Sequence, residues 1–134
     1  MNEKKIIEEL ENCIINVLGI RKEEITLDSS FVNDLGGDSL DMLDLVFRLE
    51  QAFNIKISRG DIERKARADI TEQEYEKNGV LTPSAIKRLK ELLPEIPEES
   101  FNPGMRSKDI PVLFTVRTFL RLVKEKLEEK KEKE

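Results

Sequence analysis

In residues 39–53, SLDMLDLVFRLEQAF, apolar side chains recur at steps of three and four, a period that fits a helix and conflicts with the two-residue alternation of a strand. At about 100° per residue, Met42, Leu45, Val46, Leu49 and Phe53 fall within one arc of about 100°, which suits a core face. Leu40, Leu43 and Phe47 form a second cluster, flanked by Asp44 and Glu50. One helix therefore has two apolar faces. The second either packs on a further helix or stays outside as a patch with an acidic rim that meets a partner or a ligand.

The same period recurs on either side. In residues 3–18, Ile6, Ile7, Leu10, Ile14, Val17 and Leu18 mark an amphipathic helix that Gly19 ends. Residues 20–38 lack a sustained period, yet Ile20, Ile25, Leu27, Phe31, Val32 and Leu35 are too apolar for a free loop, and the segment is expected to drape across the core. Gly36-Gly37 makes a turn, and the helix from Ser39 has Asp38 as N-cap, with Asp41 completing an imperfect capping box. Residues 58–77 read as one or two short helices with few apolar anchors. Thr82 as N-cap and Pro83 at the first position open a helix carrying Ile86, Leu89, Leu92 and Leu93, which Pro94 and Pro97 stop. The prolines of residues 94–111 predict a loop. A last helix runs from about Thr115 with Val116, Phe119, Leu120, Val123 and Leu127 on one face, and the tail EEKKEKE reads as a solvated or frayed end.

Three or four helices around one aliphatic core account for a chain of 134 residues with 38% hydrophobic but only 5% aromatic residues. The expectation is an all-α single domain. Cys13 is the only cysteine and there is no histidine, so neither an intrachain disulfide nor a Cys/His zinc site can form; Cys13 reads as a small core residue. Charges interrupt the N-terminal stretch MNEKKIIEELENCII at every turn, unlike a signal peptide or a membrane span, and point to a cytoplasmic, not membrane-embedded protein. A net charge of −5 argues against general nucleic-acid affinity. The acidity is concentrated: residues 1–57 carry 6 Lys/Arg against 12 Asp/Glu, and residues 58–134 carry 17 against 16.

Ser39 is the residue that asks for a chemical explanation. A serine nucleophile needs a base within hydrogen-bond reach, and the chain offers no histidine, no lysine from residue 23 to residue 47, and only a permanently protonated Arg48 nearby. Asp34, Asp38, Asp41 and Asp44 lack the spacing of an EF-hand. Intrinsic catalysis is therefore not expected. Two readings remain: a first-turn residue of a well-capped helix, or a site of covalent modification, because a helix N-terminus supplies free amide donors and partial positive charge for a phosphodiester.

The stretch DLGGDSLDMLDLVFRLEQAF resembles the signature of the acyl carrier proteins of fatty-acid, polyketide and lipid biosynthesis, in which Asp-Ser-Leu after a glycine turn opens the second helix. The resemblance covers residues 3–57 and, after an interruption, about 110–127, where LFTVRTFLRLV is similar to the start of the family's last helix. It implies an acyl-carrier-like three- to four-helix bundle with an inserted helical segment, and 4′-phosphopantetheine attached to Ser39 by a separate phosphopantetheinyl transferase using magnesium. Asp38 would serve transferase recognition and magnesium coordination in that step. Asp41, Asp44 and Glu50 match positions that present acids to basic patches on partners, and Leu40 and Phe47 match exposed apolar contacts. The implied partners are acyl-loading enzymes and acyltransferases, met by a monomeric carrier that is not itself an enzyme.

Arg48 stands where the family commonly has a small or apolar residue, and Gln51-Ala52 replace an acidic pair. Arg59, Arg64, Lys65 and Arg67 make the following segment basic, where the family's short third helix is generally acidic. The largest departure is the insertion at about 58–111. Enlarged carriers of this kind resemble specialised bacterial types, some holding long or hydroxylated acyl chains for lipid A and lipopolysaccharide. The insertion then shelters a longer chain, docks a dedicated acyltransferase, or fills core volume left by a shortened third helix. A peptidyl or aryl carrier of nonribosomal synthesis shares the arm and the fold. A noncovalent helical interaction domain using Leu40, Leu43 and Phe47 is the alternative from a different class.

Overall fold

The computed structural model describes residues 2–58 and 60–133. Among the described residues, six helices, α1 (Glu3–Leu18), α2 (Ser39–Phe53), α3 (Asp61–Arg67), α4 (Glu72–Tyr75), α5 (Pro83–Leu92) and α6 (Val116–Lys133), are joined by single helical turns and one minimal hairpin, β1 (Glu76–Lys77) with β2 (Val80–Leu81). The class is all-α, as the three- and four-residue spacing predicts. The chain forms two compact units, one of Met1–Ile57 with Phe114–Glu134, the other of Ser58–Leu113.

In the first unit α1 packs on α2 and α6, and α2 packs on α6. Their facing stripes supply the core: Ile6, Leu10 and Ile14 from α1; Leu45, Leu49 and Phe53 from α2; Val116, Phe119 and Val123 from α6. Burying each such side chain contributes about 1.5–3 kcal/mol, so three short stripes hold a bundle that no single helix could maintain alone. Caps set the helix limits. The Asn2 side chain accepts from Lys5 N–H at 2.9 Å, Gly19 closes α1, and Asn54 closes α2 in the left-handed conformation at φ 53°. The tail expected to be solvated or frayed is mostly exposed and helical as far as it is described: α6 continues to Lys133, and Lys130 Nζ donates to the Asn54 carbonyl at 3.1 Å.

Residues 20–38 drape as their apolar content predicts. Ile25 and Phe31 are buried, and the backbone is stitched to the start of α6 by Phe31 N–H to Phe114 O (3.0 Å), Val116 N–H to Ser29 O (2.9 Å) and Arg117 N–H to Leu27 O (2.8 Å). These bonds satisfy backbone groups that would otherwise be buried unpaired.

The second unit packs α3 and α4 against α5 over Ile62, Ala66, Tyr75, Ala85 and Leu89. Thr82 caps α5 through Ala85 N–H at 3.1 Å, with Pro83 at the first turn, as expected. The hairpin does not follow from any alternating run. Its signal is Asn78-Gly79, both at positive φ (54° and 80°), the two-residue turn that joins antiparallel strands even when each is two residues long. Two basic side chains serve the unit's own architecture: Arg64 bonds Asp61 at 2.7 Å, and the Arg67 guanidinium lies 4.4 Å from the centroid of the buried Tyr75 ring while pairing with Glu72 at 3.2 Å. Arg59 lies outside the described residues.

Candidate functional site

Ser39 is the first residue of α2 and is exposed. Its position is set by the two glycines before it, for different reasons. Gly36 adopts φ 80°, a conformation costly for other residues, and its N–H bonds Val32 O at 3.1 Å. Gly37 is buried against the Phe31 ring so closely that a Cβ there would lie 2.3 Å from Phe31 Cε2. Phe31 is in turn fixed edge-on against Phe119 (centroids 5.8 Å apart), and Phe119 against Phe114 at the same distance. The turn is thus anchored on aromatic core residues, which places the serine hydroxyl on rigid scaffold.

Asp38 and Asp41 form a reciprocal capping box: Asp38 Oδ1 accepts from Asp41 N–H at 2.8 Å, and Asp41 Oδ2 accepts from Asp38 N–H at 3.0 Å. The pair fixes the first turn and puts two carboxylates on either side of Ser39 in sequence. One turn on, Asp44 pairs with Arg48 at 3.1 Å, the i to i+4 spacing at which such side chains meet. Glu50 is half-buried, and its Oε2 accepts Ile57 N–H at 2.8 Å, pinning the chain that leaves α2. Among the described residues, no group of three or more Asp, Glu, Cys or His is placed to hold a metal ion.

The second apolar cluster of α2 is surface. Leu40 is 74% exposed, Leu43 45% and Phe47 59%, which excludes the core alternative for it. These side chains follow Ser39 along an exposed face, with Asp44 beside them. Cys13 is buried in the core face of α1, and burial, with Glu9 adding, pushes its thiol pKa up despite opposition from Arg48. One feature of the site escapes sequence reasoning: the contact of Gly37 with Phe31, which only the tertiary fold creates. The Asn54 cap has a local signal, its place directly after the last periodic apolar residue.

What the arrangement offers is an exposed hydroxyl at a helix N-terminus, on a rigid turn held by the Asp38–Asp41 box, with an apolar, acid-edged face beside it. That combination suits attachment of a phosphodiester, whose negative charge the helix end favours, and a flexible arm meets no obstruction at so open a position. A family model described as the phosphopantetheine attachment site matches residues 8–66, which contain the whole of this turn and α2. An acyl carrier protein of Guillardia theta is 49% identical over 57 residues, covering 42% of this chain and 70% of that protein. An acyl carrier protein of Cyanidium caldarium is 42% identical over 64 residues, 48% of this chain and 74% of that protein. No solved structure matches the chain. The cofactor is 4′-phosphopantetheine, the protein is a carrier and not a catalyst, and the chain belongs to the acyl carrier protein family.

Proposed function

We propose that Ser39 bears the 4′-phosphopantetheine arm and that the chain carries acyl groups for fatty-acid or lipid biosynthesis. The observation that supports this most directly is the exposed hydroxyl of Ser39 at the start of α2, held by the Gly37–Phe31 contact and the Asp38–Asp41 box within the matched segment. When bound, the arm supplies a terminal thiol that holds an acyl chain as a thioester. The chain's own residues do the rest. Asp38 fixes the first turn and offers its carboxylate to a phosphopantetheinyl transferase and its magnesium. Asp41, Asp44 and Glu50 give the α2 face its negative charge, while Leu40 and Phe47 supply apolar contact for acyl-loading enzymes and acyltransferases. Tethering keeps the acyl group at high effective concentration in each docked active site, which needs no catalytic group on the carrier.

The insertion is the basis of a finer reading: one carrier domain in which residues 58–111 direct the arm's cargo to a dedicated acyltransferase, in assembly of lipid A or lipopolysaccharide. Its own groove supports a recognition role, with about 570 Å³ of space walled by Leu81, Pro83, Ile86 and Phe101. No helix among the described residues is long and apolar enough to cross a membrane, so the carrier meets lipid enzymes from outside the bilayer core by this reading. Incubation with coenzyme A, magnesium and a broad-specificity transferase tests the attachment. Intact-mass measurement shows one added phosphopantetheine on the wild type and none on Ser39→Ala; a folded wild type that several transferases leave unmodified favours the noncovalent interaction domain.

A further inference from the structure

The charge beside α2 changes sign between its two ends, through lysines that lie outside the helix. At the Ser39 end stand Asp38, Asp41 and Asp44, with no Lys or Arg from residue 23 to residue 47. Arg48 pairs with Asp44 and marks the change. Past Arg48 the helix carries Glu50, bonded to Ile57 N–H, and the uncharged Gln51 and Ala52, and a groove of about 800 Å³ opens beside its C-terminal end. Phe47 forms its apolar wall, and Lys56, Lys126 and Lys130 line it.

Two carboxylates share the lining and both are engaged: Glu50 holds Ile57 N–H at 2.8 Å, and Glu129 lies 3.5 Å from Lys126 Nζ. Lys130 Nζ donates one of its three bonds to the Asn54 carbonyl at 3.1 Å, which places the ammonium at the end of α2. Three lysines against two glutamates leave the groove positive by one charge, while the other end of the same face is negative. One net charge is too little for a nucleic-acid backbone, whose affinity depends on many phosphate contacts. A bare inorganic anion would leave the Phe47 ring, 59% exposed, unused.

We propose that this groove is a docking subsite for an acidic amphipathic helix of a partner enzyme, which sets an apolar side chain on Phe47 and a carboxylate between Lys56 and Lys130. The carrier then reads its partner with opposite charges at the two ends of α2: a basic patch near Ser39 and an acidic helix near Asn54. A uniformly basic partner is repelled at the second point, so the groove selects by charge pattern as well as by attraction. That the partner is an acyl-handling enzyme rests on the carrier reading; the groove chemistry does not.

The test titrates the full chain, with and without its arm, with two amphipathic helical peptides of equal length and leucine spacing, one with Glu and one with Lys at its polar positions. Backbone amide shifts are followed by NMR. The Glu peptide shifts Phe47, Asn54, Lys56 and Lys130, and the Lys peptide shifts Leu40, Asp41 and Asp44. Because each exposed lysine gives only a modest attraction and its reversal replaces that by repulsion, Lys56→Glu/Lys130→Glu weakens the Glu peptide about fivefold and leaves the Lys peptide within about twofold. Lys56→Gln, at an exposed position, gives a smaller loss in the same direction without relying on the fold tolerating the double reversal. Binding of the Glu peptide elsewhere, binding indifferent to these substitutions, or acetate reproducing its shifts at equal concentration overturns the proposal. The same samples are weighed for the arm: a silent groove on a protein that takes up phosphopantetheine overturns the docking proposal alone, and peptide binding without uptake overturns the Ser39 reading alone.

Discussion

Gly37 has no side chain because the Phe31 ring already fills that space, 2.3 Å from where a Cβ would stand. Gly37→Ala must push the ring or the turn aside. A cost of about 1–3 kcal/mol is expected from overpacking of this kind, read by urea unfolding. Asp38 tests a different contribution. Asp38→Ala removes the Asp41 N–H acceptor and costs about 1 kcal/mol, while Asn, which caps as well as Asp, retains most of that stability. If the carboxylate also serves the transferase, Asp38→Asn slows phosphopantetheine transfer as much as Asp38→Ala does while remaining nearly as stable as the wild type. Equal transfer rates for wild type and Asp38→Asn would leave Asp38 a cap and nothing more. The cap was legible because Asp38, Asp41 and the apolar run are neighbours in sequence; Phe31 against Gly37 was not, since only the folded strap brings the ring there.

On α2 the two faces have different fates, and the sequence shows the period without saying which face stays wet. Leu45, Leu49 and Phe53 meet α1 and α6, and Leu40, Leu43 and Phe47 meet solvent. The fate of a face depends on which helices exist to cover it, which no local pattern contains. Asp41 and Asp44 beside the exposed cluster predict salt-sensitive docking, since exposed charges are screened over about 8 Å at physiological ionic strength. Raising salt is expected to slow acyl transfer through slower association, and Asp41→Asn with Asp44→Asn and Glu50→Gln to reproduce the effect at low salt. Transfer indifferent to both salt and the triple change removes electrostatic docking from the account. Among the smaller elements, the Asn78-Gly79 hairpin carried a clear turn signal that its two-residue strands obscured, because alternation cannot be recognised over so short a run.

Across the whole molecule, the boundary after Ile57 follows the composition, because the acidic half containing Ser39 ends where the balanced, partly basic segment begins; the return at Phe114 has no such mark. The bundle helices were legible from spacing, and α5 from Thr82-Pro83, whereas the helical continuation of the charged tail was not, since EEKKEKE has no apolar residue to mark a packed face. Replacing residues 58–113 by a short carrier-type third helix is expected to keep cooperative melting and arm attachment while selectively losing transfer of long acyl chains; unchanged transfer of every chain length contradicts a specifying role for the insertion. The central claim concerns one atom, Ser39 Oγ, and peptide mapping of the arm-bearing protein reaches it directly. Trypsin cuts after Lys22 and Arg48 with no Lys or Arg between them, releasing residues 23–48, which contain Ser29, Ser30 and Ser39. The account predicts a single phosphopantetheine on this peptide, with fragment ions placing it on Ser39. An arm on Ser29 or Ser30, or on any other peptide, contradicts it.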